Sequence, residues 1–222
     1  MIFLEFTVLL IAIAIISCIS KQAWAVKPTP EEMTVSKQWI AENLASEVPL
    51  PPFSFKYGGQ PSADLLNGWQ IDCTQKNLDE NRTEHTLEFT DPNTGLEVRS
   101  EAIFYSDFPA VEWVLYLKNN GTSDTPILEN ILPLDVRMLA SNGNPVLHYS
   151  KGALCCLDDF APVEEILEPE AQVHLQPGGG RSSSEILPFF NLDFGQGGVV
   201  LGIGWTGEWA ATFSRQAENY LP

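Results

Sequence analysis

Asp158-Asp159-Phe160 sets two carboxylates beside an aromatic ring. Carboxylates accept hydrogen bonds from hydroxyls, and an aromatic face packs on the apolar face of a sugar ring, so this triplet holds residue types that can grip a carbohydrate. The same acids read equally as part of a solvated loop, because charged side chains are seldom buried. Trp205-Thr206-Gly207-Glu208-Trp209 brings two indoles together at a turn. Paired Trp residues serve as core, or as an exposed platform where a loop presents them. Gly178-Gly179-Gly180-Arg181-Ser182-Ser183-Ser184 invites comparison with a phosphate loop, but it lacks Gly-Lys-Ser/Thr and opens no helix, so it reads as a flexible interaction loop. The three histidines carry no motif, and no Ser/His/Asp or Cys/His nucleophile arrangement is present. Cys73, Cys155 and Cys156 follow no Cys-x-x-Cys spacing, and with His148 they make a weak zinc set. Buried, inert thiols are the expectation, with a bridge from Cys73 to one of the pair left open. No metal and no cofactor is expected.

The elements that position these residues are strands. From His85 to Leu117 the chain reads as three consecutive strands of an antiparallel meander. Leu87 and Phe89 share one parity, as do Leu96, Val98, Ala102 and Phe104, and then Val111, Trp113, Leu115 and Leu117; acids and Arg99 take the other parity. Asp91-Pro92-Asn93-Thr94-Gly95 and Ser106-Asp107-Phe108-Pro109 are turn sequences between them. Phe53 to Tyr57, Trp69 to Lys76, Ala171 to Gln176, Phe189 to Phe194, Gly198 to Trp205 and Trp209 to Phe213 read as further strands. Val146 to Tyr149 reads as a short extended segment. Pro126 to Leu139 suits a strand crossing between sheets, and Lys151 to Pro169 reads as a loop. One helix is expected, from Lys27 to about Ala45, with Thr29 as N-cap, Pro30 at its first position and Glu32 closing a capping box. Met33, Ile40 and Leu44 form its apolar stripe, with Trp39 beside it. Many short strands with turn signals between them predict a mainly β chain, a β-sandwich with one N-terminal helix.

The 222 residues suffice for one large all-β domain or two small ones, and 44% hydrophobic composition supports a packed core. With 29 acids against 12 Lys and Arg the formal charge is −17, a field that repels phosphate backbones and argues against nucleic acid as a partner. Val8 to Ile16 is an unbroken apolar run, followed by the small-x-small sequence Ala23-Trp24-Ala25, so residues 1–25 read as a secretory signal and the protein as secreted or periplasmic. A rival is Ile15-Ile16-Ser17-Cys18, which has the form of a lipoprotein box and would anchor the chain to a membrane through Cys18. Residues 26–52 are assigned to the helix and a proline-rich linker, and 53–222 to the sandwich. Asn81-Arg82-Thr83 and Asn120-Gly121-Thr122 are glycosylation sequons, meaningful in a eukaryotic secretory host.

Five blocks in order carry a resemblance: Phe53 to Ser62, Tyr105 to Val114, Asp158-Asp159-Phe160-Ala161-Pro162, Gly180 to Ser183 with Pro188 to Leu192, and Ile203 to Trp209. Together, over roughly residues 30–215, they resemble the N-terminal β-supersandwich domain of glycoside hydrolase family 36, the α-galactosidase-like enzymes. The resemblance implies a retaining mechanism in which one Asp attacks the anomeric carbon and a second acts as acid and then base, the pair about 5 Å apart. In the family both stand in a (β/α)8 barrel that follows the sandwich. This sequence shows no βα alternation, so no catalytic residue is assigned, and the expectation is a domain truncated before its barrel, with Gln216 to Pro222 departing from the family run. The resemblance further implies that this domain lines the pocket for an α-galactoside and contributes a subunit contact of a homo-oligomer. Asp158, Asp159 and Phe160 are the first candidates for substrate contact, and Trp205 and Trp209 the second. A freestanding carbohydrate-binding module and an exported structural protein or lipoprotein are the alternatives.

Overall fold

The computed structural model describes residues 26–44, 51–139, 143–216 and 220–221. The expected signal segment, Cys18, most of the proline linker and most of the C-terminal tail lie outside these residues. In chain order the strands are β1 (Ser54–Tyr57), β2 (Gln60–Pro61), β3 (Gln70–Asn77), β4 (Arg82–Thr90) and β5 (Leu96–Tyr105). Then come β6 (Val111–Asn119), β7 (Leu128–Leu132), β8 (Met138–Leu139), β9 (Val146–Ser150) and β10 (Pro162–Ile166). The series ends with β11 (Gln172–Leu175), β12 (Phe189–Asp193), β13 (Gly198–Gly202), β14 (Ala211–Ser214) and β15 (Tyr220–Leu221). Every pairing among them is antiparallel, and the fold is the mainly β, sandwich-type architecture that the alternating pattern predicts.

The described residues group into two compact units. One takes those of Met1–Pro49 together with Gly68–Thr125, and the other takes those of Leu50–Asn67 with Pro126–Pro222. The first unit is the meander, in the order β3-β4-β5-β6. Parity decides its faces: Leu87 and Phe89 of β4, and Leu96, Val98, Ala102 and Phe104 of β5, are all buried. Turn chemistry sets the register: Asp91 accepts from the Asn93 amide and the Thr94 hydroxyl (3.0 and 2.6 Å), and Gly95 takes φ +78°, a conformation that a side chain would strain.

The helix runs Pro30–Leu44 and begins as its sequence predicts. The Glu32 amide donates to Thr29 Oγ1 at 3.2 Å while Glu32 Oε2 accepts from the Thr29 amide at 2.7 Å, a closed capping box. Leu44 packs with Ala102 and Phe104, and Trp39 stacks on Trp113 with ring centres 6.0 Å apart.

The second unit contains the sheets β2-β1-β7, β10-β9-β12-β13 and β11-β14. Leu147 of β9, Phe190 and Leu192 of β12, Leu175 of β11 and Phe213 of β14 meet in one buried cluster with Leu167 and Trp209. The opposite parity of β12, Phe189 and Asn191, faces solvent. Two sequence expectations change here. Lys151 to Pro169 is not all loop: Pro162–Ile166 is β10, paired with β9 from Pro162↔Ser150 to Ile166↔Val146. Pro126 to Leu139 is not one crossing strand either. It breaks after Leu132, where Pro133 can donate no ladder hydrogen bond, and β7 pairs with β1 while β8 pairs with β15.

Leu147 is 0% exposed at the middle of this cluster. Leu147→Ala is expected to cost about 2–5 kcal/mol, the transfer and cavity terms of a buried leucine. The shift of the urea unfolding midpoint measures it, and a loss under about 1 kcal/mol would mean that the cluster does not hold the unit together.

Candidate functional site

Three of the sequence blocks that could do chemistry lie in the second unit, on the segments 151–161, 178–187 and 203–210, and hydrogen bonds knit these together. The Gly152 amide donates to the Glu185 carbonyl at 2.7 Å and the Ala153 amide to the Ser183 carbonyl at 2.9 Å. Gly152 sits so close to the Ser183 carbonyl that no side chain fits there. The Trp209 indole N–H donates to the Ser182 carbonyl at 2.8 Å. Leu187 donates to the Ser150 carbonyl at 3.0 Å and Ile203 to that of Pro188 at 2.9 Å. The Gly-rich segment is thus a bracket between the acidic segment and the tryptophan turn. It is not a free connection.

Within the acidic segment the two carboxylates do different work. Asp159 accepts from the Leu154 amide through Oδ1 and from the Cys155 amide through Oδ2, both at 2.9 Å. These bonds hold a loop in which Cys155 and Phe160 take left-handed φ values of 64° and 63°. The Leu154 amide leads the causes that lower the Asp159 pKa below the ordinary carboxylate value. Asp158 points to solvent and forms an ion pair with Lys151 Nζ, which lowers its pKa in turn. Neither carboxylate is tuned as a general acid for neutral pH, since that role needs a raised pKa. Asp159 positions the loop, and Asp158 presents an oxygen to solvent.

The aromatic candidates also separate. Phe160 is 59% exposed and Trp205 67%, so both offer ring faces. Trp209 is 8% exposed, edge-on to Phe190 with ring centres 5.6 Å apart, and belongs to the core. Leu154 and Leu157 are exposed beside the acids, a feature that the sequence reading did not single out. All three described cysteines are free and exposed, contrary to the expectation of buried thiols. Cys73 lies on a sheet edge, and Cys155 and Cys156 lie in the Asp159-held loop, positions where little apolar surface covers a side chain. Among the described residues no group of three or more His, Cys, Asp or Glu side chains is placed to hold a metal ion.

A shallow depression in the first unit is lined by Asp79, Glu80, Asn81, Arg82, Tyr105 and Asp107. Several of its polar groups are spent on one another or on neighbours. Arg82 pairs with Asp79 at 2.7 Å, and the Tyr105 hydroxyl donates to Glu112 at 2.7 Å. It carries no claim as a site.

The Asp159 bonds give a pH prediction. A carboxylate whose folded pKa is lowered supplies order above its unfolded pKa and loses it as pH falls through the folded one. The Leu154 and Cys155 amide resonances are therefore expected to shift together with a midpoint below 3.8, the ordinary value, and to show no such transition in Asp159→Asn. A midpoint at or above 3.8 means that these hydrogen bonds do not hold the loop in solution.

No family model and no curated protein matches the chain. Solved structures do. The fold is similar to that of the GH36 alpha-galactosidase AgaA from Geobacillus stearothermophilus, with TM-score 0.51 and 14% identity over 77% of this chain and 26% of that one. A doubly substituted form of AgaA in complex with raffinose gives TM-score 0.52 at the same identity and coverage. The chain spans about a quarter of the length of these relatives, and its fold is that of a part of a GH36 α-galactosidase, as the five sequence blocks imply.

Proposed function

We propose that this chain is the non-catalytic sandwich domain of an α-galactosidase-like glycoside hydrolase, shaping the sugar pocket and a subunit contact within a longer enzyme. The observation that carries the reading is the fold likeness to AgaA over 77% of the chain, found independently of the sequence blocks that resemble the same family. The convergence of the 151–161, 178–187 and 203–210 segments supports it, because it gathers the candidate contact residues in one unit. In this reading Phe160 and Trp205 stack on sugar rings and Asp158 accepts from a hydroxyl. Asp159 fixes the loop that presents them, and Trp209 anchors the turn from the core. The carboxylate pair of the retaining mechanism belongs to the barrel of the longer enzyme. Export through the signal-like residues 1–25 belongs to the proposal, and the mass of the mature N-terminus separates cleavage after Ala25 from acylation at Cys18.

The exposure of Phe160 and Trp205 favours a second reading, a freestanding carbohydrate-binding module. One measurement tests the non-catalytic role common to both readings, and a second separates them. The purified chain is expected not to turn over an aryl α-galactoside, and measurable turnover overturns the non-catalytic role. Raffinose is then titrated into the chain by calorimetry. Binding that weakens about tenfold in Trp205→Ala or Phe160→Ala, the loss expected for one stacking ring, supports the module. Binding unchanged in both variants removes these rings from the site. No binding rejects the module and leaves the domain reading.

A further inference from the structure

The sheet of the first unit ends in β3, and β3 is exposed along its whole length, from Gln70 to Asn77. It pairs with β4 in unbroken register from Gln70↔Thr90 to Asn77↔Thr83. On its other side it has no strand partner among the described residues. Soluble proteins blunt such an edge by keeping it short, or with a proline or a bulge, because a bare row of backbone donors and acceptors recruits another strand. β3 is eight residues long, with no proline and no bulge; its charges, Asp72 and Lys76, are its remaining guard, and they oppose a strand whose charges do not complement them.

The order of its side chains says what fits beside it. On one face Asp72 lies directly opposite Glu88, and Lys76 lies opposite Glu84. Like charges facing each other across two strands are destabilising, so Asp72 lacks a favourable neighbour on the β4 side. A two-fold axis normal to the sheet joins β3 antiparallel to β3 of a second copy and keeps each face continuous. The centre of such a pairing falls on a residue, because a half-step would flip one face. Cys73 and Thr74 are the two centres that keep most of the strand paired. Centring on Cys73 puts two thiols together and sets Lys76 against Gln70. Centring on Thr74 sets Asp72 against Lys76 of the second copy, twice by symmetry, with Thr74 against Thr74 and Cys73 against Gln75. Each charged row then runs Glu88, Asp72, Lys76, Glu84, and the incoming ammonium stands between two carboxylates.

We propose that β3 is the docking edge for a second copy of this chain, paired antiparallel about Thr74 into one continuous sheet. Main-chain hydrogen bonds supply the attraction and the Asp72–Lys76 pairs select the register. The net charge of −17 opposes association at long range, so the dimer tightens as salt rises from low values and screens that repulsion. The inference is independent of what the loops of the second unit bind.

Sedimentation velocity of the full chain over a concentration series tests it. The expected result is a monomer–dimer equilibrium whose dissociation constant rises about tenfold or more in Asp72→Lys and in Lys76→Asp, because each sets like charges opposite one another twice. Combining the two substitutions restores the wild-type constant. Gln75→Cys places a thiol opposite Cys73 of the second copy, and oxidised glutathione then gives a covalent dimer that adding Cys73→Ser abolishes. A chain that stays monomeric, a dimer indifferent to either reversal, or a covalent dimer through Cys73 alone in the unsubstituted chain overturns the proposal.

Discussion

Side-chain parity is the constraint on which this structure rests. Each strand has one face to bury, and a slip of one residue would exchange Phe190 and Leu192 for Phe189 and Asn191 against the core. Burying a leucine or phenylalanine side chain is worth roughly 1.5–3 kcal/mol, so a slip of one strand removes more than most single hydrogen bonds contribute. That penalty pins the β9–β12–β13 register, and the register fixes where the loops leave the sheet. The acidic segment departs from Ser150 and returns at Pro162, which are themselves cross-strand neighbours. Its ends are thus held a strand spacing apart before any loop contact forms.

Much of the first unit was legible because its signals agree. Hydrophobic parity, the turn sequence at Asp91 and the Thr29–Glu32 capping box each predict the same local structure, and each is present. The strand β10 was hidden by Glu165, an acid on the core-facing parity that spoils the alternation. Its carboxylate is satisfied there by the Tyr149 hydroxyl, which donates at 2.6 Å. Burial first, and then that acceptor, push the Tyr149 pKa up to about 12. A polar pair across two strands is invisible to a pattern that counts apolar residues one strand at a time. Cys73 misled for a related reason. Its composition signal says core, while its place on the outermost strand decides exposure.

The candidate site was legible in type and not in role. Asp158 and Asp159 are chemically identical neighbours, and only the fold assigns one to backbone amides and the other to Lys151. Trp205 and Trp209 flank the same turn, yet one is exposed and the other is hydrogen-bonded into the core. Sequence could mark the segment as a candidate because two acids and an aromatic ring cluster there. It could not divide the labour, because that division depends on which amides happen to face the carboxylate after the chain has folded.

Such a division differs from that of a glycosidase carboxylate pair. A retaining glycosidase needs two carboxyl groups on opposite sides of the scissile bond, with one kept protonated by an apolar or like-charged setting. Asp158 and Asp159 are adjacent in sequence and open to solvent or to donors, and an ammonium and backbone amides stabilise their ionised forms. Converting Asp158 to a general acid would require removing Lys151, and converting Asp159 would require stripping away the amide hydrogen bonds that hold the loop in which Cys155 and Phe160 take left-handed φ values. The loop would lose its shape in acquiring the chemistry. A general-acid role for Asp159 and the present shape of the loop are therefore competing uses of the same hydrogen bonds.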